Sequence, residues 1–98
     1  MSNKNLEKAA DLADQFMRAA GVDFPTRKWV INKIDSDTAN KIYIETAEII
    51  AKMIDRRDIA AEFSSYIPEE FRGNKEVIET LKELGAKNLA KLCAFKPK

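Results

Sequence analysis

The run from Thr38 to Ile54 is the longest in the chain that keeps a helical apolar period with no proline, glycine or turn cluster inside it. At about 100° per residue, Ile49, Ile42, Met53, Ala39, Ile50, Tyr43, Ile54, Ala47, Ala51 and Ile44 fill an apolar arc of roughly 220°. The remaining stripe holds Thr38, Lys41, Glu45, Glu48, Lys52 and Asp55. A surface helix needs an apolar face only a little over ~100° wide. The spacing therefore predicts a central helix over 38–54, flanked by more than one neighbour, with Ile50 in its most surrounded part.

The other segments read as helices arranged around it. A first helix is expected to start at Ser2 or Asn5 and to stop at Gly21, where a left-handed residue can close it. Its apolar half holds Leu6, Ala9, Ala10, Leu12, Ala13, Phe16, Met17, Ala19 and Ala20, so many of them alanines that a partner helix can approach closely. Glu7, Asp11, Asp14 and Arg18 form the outer face, with an Asp14–Arg18 pair at i,i+4. Thr26 caps a short helix running to about Ile34, and Asp35-Ser36-Asp37-Thr38 supplies a turn and N-caps for the central helix. Beyond Asp55-Arg56-Arg57-Asp58 the pattern restarts with Ile59, Phe63, Tyr66 and Ile67, a new helix ended by Pro68. Residues 69–72 fit one turn, with Gly73 and Asn74 closing it and capping the last helix, which begins at Lys75. In the last segment Val77, Ile78, Leu81, Leu84, Leu89, Leu92 and Phe95 share one arc of about 140° if the helix continues through Gly85, and that coherence favours continuity over a break there. Asn88 then lies inside the arc and needs a hydrogen-bond partner or an interface.

With Gly and Pro at three each and 45% hydrophobic residues in a chain of 98, the class is all-α. One domain is expected over 1–98, a compact bundle of about five helices, because chains divide only above roughly 250 residues. A single cysteine, Cys93, forms no internal disulfide and suits a reducing compartment, so the expected location is the cytoplasm. No signal-peptide pattern opens the chain, and no apolar run approaches the roughly 18 residues of a membrane span.

Histidine is absent, which removes the commonest general base and metal ligand. With one cysteine besides, this chain alone cannot build zinc sites, Cys–His sites or Ser–His–Asp triads. Gly21, Gly73 and Gly85 stand too far apart for a phosphate loop. Cys93, near Lys91 and Lys96, reads as a small semi-buried thiol. Two carboxylate pairs remain, Glu45 with Glu48 and Asp55 with Asp58. Over these few residues the spacing resembles the paired acidic motifs of the all-α nucleotide pyrophosphohydrolases, a resemblance that implies a shared Mg²⁺. Lys41–Glu45 and Glu48–Lys52 at i,i+4 favour instead a solvated face of ion pairs. No cofactor, metal or catalytic residue is expected.

Net charge is +1, so no overall field draws the chain to nucleic acid, although residues 74–98 carry six basic groups against three acidic ones. The row Lys87, Lys91 and Lys98 supports an alternative reading as a nucleic-acid accessory protein; a carboxylate-dependent Mg phosphohydrolase comes third. Phe24, Arg27, Lys28 and Trp29 have the composition of a protein-interface anchor, Trp and Arg being the residues that dominate binding hot spots. The competing reading has Trp29 closing one end of the core over Phe24. The leading expectation is a small non-catalytic protein that binds another protein, with a homodimer as a further expectation, since so short a chain buries only a little over ~60% of its unfolded surface.

Overall fold

A computed structural model of the protein describes residues 3–53 and 65–94. It is all-α: among the described residues there are five α-helices, α1 (Asn3–Ala19), α2 (Arg27–Ile31), α3 (Ser36–Met53), α4 (Lys75–Glu83) and α5 (Lys87–Ala94), one 3₁₀ turn at Glu69–Phe71, and no strand. The helix expected between residues 55 and 67 falls largely outside the described residues, as does Ile54.

Four of the helices close a ring: α1 packs on α3, α3 on α5, α5 on α4 and α4 back on α1, while the short α2 rides on α3. The α1–α3 contact is the most extensive, and the alanines explain it. Ala9, Ala10 and Ala13 of α1 and Ala39, Ala47 and Ala51 of α3 are all buried, so the two backbones draw near one another. Leu12, Phe16, Met17, Tyr43 and Ile44 fill the space around them, and Val77, Leu81, Leu89 and Cys93 complete the core. Burial of this kind is the main stabilising term, worth about 1.5–3 kcal/mol for each large apolar side chain.

The central helix starts two residues before Thr38, because Asp35 takes the cap. Its carboxylate accepts from the Thr38 N–H at 3.0 Å and the Thr38 hydroxyl at 2.8 Å, and those bonds hold the Asp35 carboxyl below its ordinary pKa. The buried arc of α3 is narrower than its apolar arc. Ala39, Asn40, Tyr43, Ile44, Ala47 and Ala51 are buried, about 140° of the circumference, while Ile50 is only half-buried. Ile42, Ile49 and Met53 stand 37%, 61% and 75% exposed. Apolar character alone overestimates burial here, since the side of α3 that carries Ile42, Ile49 and Met53 is left largely uncovered.

The last segment breaks at Gly85, against the continuity its arc implied. Gly85 sits at φ +84°, its N–H bonds to the Lys82 carbonyl at 3.1 Å, and the Ala86 N–H reaches the Leu81 carbonyl at 2.8 Å, the paired bonds of a Schellman stop. Gly21 closes α1 in the same way, with Gly21 N–H on Arg18 and Val22 N–H on Met17. Both α4 and α5 bury their apolar faces in one core, so the arcs of two helices coincided in sequence. Asn74 caps α4 through the Val77 N–H at 3.2 Å. The short second helix ends at Ile31, before the expected Ile34, which is 38% exposed.

Candidate protein-binding surface

The segment carrying Phe24, Arg27, Lys28 and Trp29 is fixed to α3 at three points. Phe24 meets Tyr43 edge to face, with ring centroids 5.0 Å apart and planes at 85°. The Tyr43 hydroxyl donates to the Pro25 carbonyl. Arg27 Nη1 donates to Oδ1 of the buried Asn40 at 2.9 Å, which gives that amide oxygen the partner its burial requires. Burial is the leading cause that raises the Tyr43 phenol above its ordinary pKa, so the hydroxyl remains a donor at neutral pH.

Thr26 starts α2 by accepting from the Trp29 N–H at 3.3 Å. From this base Trp29 projects outward, 56% exposed, with Lys33 Nζ 5.4 Å from the ring centroid. It does not close the core; Phe24 does that work, half-buried and packed against the core cluster. The four candidate residues thus divide into two that hold the segment, Phe24 and Arg27, and two that face solvent, Lys28 and Trp29. A shallow apolar recess of about 360 Å³ lies beside the indole, lined by Pro25, Thr26 and Trp29. A second cleft, of about 550 Å³, runs from α2 to α1, between Asp11, Asp14 and Arg18 and the residues Thr26, Arg27, Lys28, Ile31 and Asn32. Arg18 and Asp14 form the expected pair there, at 3.1 Å.

Of the carboxylate pair on α3, Glu45 stays exposed and Glu48 takes another role. Glu48 is half-buried and turned to the start of α5: Oε2 accepts from the Asn88 N–H at 3.1 Å and the Asn88 side-chain amide at 2.8 Å, and Oε1 from the Leu89 N–H at 2.8 Å. A carboxylate from α3 therefore caps the N-terminus of α5, satisfying amides that the helix cannot satisfy itself. The solvated-face reading is corrected at Glu48 alone, since Lys41, Glu45 and Lys52 are exposed, and neither Lys41–Glu45 nor Glu48–Lys52 closes into an ion pair. Glu48 and Asn88 stand 40 residues apart in sequence, so only the polar Asn88 in an apolar arc signalled that a partner was needed. Among the described residues no group of three or more His, Cys, Asp or Glu side chains stands together as a metal site; Asp55 and Asp58 lie outside them.

Lys87 and Lys91 are exposed on α5, and Lys98 lies outside the described residues. Cys93 is fully buried rather than half-buried, its thiol donating to the Phe71 carbonyl at 2.7 Å, and burial pushes its pKa up to about 11. No helix among the described residues is long and apolar enough to cross a membrane. No protein-family model matches the chain, and no curated protein or solved structure matches it.

Proposed function

We propose that the chain is a non-catalytic protein-binding protein whose contact with a foreign partner centres on Trp29. The observation that carries this reading is the exposed indole on a helix that is itself held rigidly from behind. An apolar ring of that size in water is costly unless something covers it, and Trp and Arg are the residues on which binding energy concentrates. The three ties of the segment to α3 matter for affinity. They fix the ring in place before binding, so little ordering entropy is lost on association. Lys33 beside the ring, with the exposed Lys28 next to Trp29 in sequence, favours a partner surface that offers carboxylates around an apolar pocket.

The experiment is affinity capture from the native host with wild type, Trp29→Ala and a distant surface control, Lys82→Ala, each checked for unchanged helicity. A protein retained by wild type and the control and lost from Trp29→Ala supports the proposal. A partner retained equally by all three places the contact elsewhere.

A further inference from the structure

We propose that the outer stripe of α3 is a self-association surface that pairs antiparallel with the same stripe of a second copy of this chain. The stripe is Ile42, Thr46, Ile49 and Met53, spaced four, three and four residues apart. That is the d-a-d-a spacing of a coiled-coil seam. It lies away from the alanine face buried against α1, and its three large apolar residues are exposed. Thr46 brings no unmet polar group to the seam, because its hydroxyl donates to the Ile42 carbonyl of its own helix at 2.8 Å.

The pattern complements itself under a two-fold rotation. With the axis between residues 47 and 48, Ile42 of one copy meets Met53 of the second and Thr46 meets Ile49, and the same two layers recur on the other side of the axis. The g positions flanking the seam are Glu45 and Lys52, both exposed. Antiparallel pairing sets each Glu45 beside Lys52 of the second copy, twice over. Parallel pairing would set Glu45 beside Ile50, with no charge partner. Charge and apolar pattern therefore agree on one orientation and on a second copy as the occupant, the isologous arrangement of a two-fold dimer. The helix of 18 residues is about 27 Å long and offers four layers, a small interface, so the dimer is concentration-dependent. This surface is separate from Trp29, and either proposal can fail alone.

Sedimentation over a concentration series up to about 1 mM, where even a weak pair at that Kd would be half-formed or nearly so, should show mass rising from one chain toward two. Ile49→Glu should abolish the rise with helicity kept. Glu45→Lys should weaken it, and Glu45→Lys combined with Lys52→Glu should restore it. Oxidised Ile42→Cys/Met53→Cys should run as a covalent two-chain species; these positions lie about 16 Å apart within one helix, too far for an internal bridge. A one-chain mass throughout overturns the proposal, as does a dimer that survives Ile49→Glu. If the mass stays at one chain and Ile49→Glu lowers the melting temperature, the stripe is covered from within the chain and the proposal is likewise wrong.

Discussion

At the scale of single residues, the polar groups that matter are the few that the core has enclosed. Cys93 and Tyr43 both have raised pKa values, Cys93 to about 11 from an ordinary 9.0, burial being the first cause in each. An acid raised in the folded state ionises first in the unfolded chain, which then binds fewer protons, so stability falls as pH rises. The window opens near pH 9 and extends to about 11 for the thiol. Thermal melts between pH 8 and 11 should show declining stability, and Cys93→Ala should flatten the decline whatever it does to stability at pH 7. The same burial should leave the thiol unreactive to an alkylating reagent in the folded protein at neutral pH. Glu48 gives the second residue-scale prediction. Glu48→Ala removes a half-buried carboxylate that receives three N–H donors and leaves the start of α5 uncapped. It should cost about 1–3 kcal/mol by denaturant titration. A cost under ~0.5 kcal/mol, the range of an exposed surface residue, would show that Glu48 is free in solution.

At the scale of elements, Gly85 decides between two architectures by the sign of one substitution. Alanine inside a continuous helix would stabilise it by about 1 kcal/mol over glycine. At φ +84° the same alanine is strained by about 1–2 kcal/mol, although nothing stands within 4 Å of its Cβ. Gly85→Ala should therefore lower the midpoint of chemical unfolding; a raised midpoint would mean that α4 and α5 are one helix. The stops and caps at Gly21, Thr26 and Asn74 were legible because each is written in two to four adjacent residues. The break at Gly85 was not, since its competing signal, an unbroken apolar arc, came from two helices serving one core. The cap from Glu48 was illegible for a related reason: its partners come from 40 residues away, and an i,i+4 lysine offered a local explanation that sufficed. At the candidate surface, composition drew attention to Phe24, Arg27, Lys28 and Trp29 together. It could not separate anchors from exposed groups, because that division depends on Asn40 and Tyr43 of the neighbouring helix.

Across the whole molecule, the proposed function puts stability and recognition on different residues, and residue size misleads about which is which. The centre of the fold lies where α1 and α3 meet on alanines, and Ala47 is completely buried there. Ala47→Leu adds three carbons to a contact between two backbones, so overpacking should cost about 1–3 kcal/mol. For a domain near 100 residues that is a drop of roughly 4–24 °C in melting temperature. Trp29→Ala removes ten heavy-atom positions' worth of side chain in exchange for one methyl, on the order of the largest deletion any chain allows, yet most of that ring is in water. Its loss should forfeit little beyond the contact with Lys33, under about 1 kcal/mol. Calorimetry of the two variants side by side tests the division directly. The larger drop should belong to Ala47→Leu, with Trp29→Ala close to wild type and still as helical. If Trp29→Ala proves the more damaging, the indole supports the fold, and the surface beside Pro25 and Thr26 loses its claim to recognition.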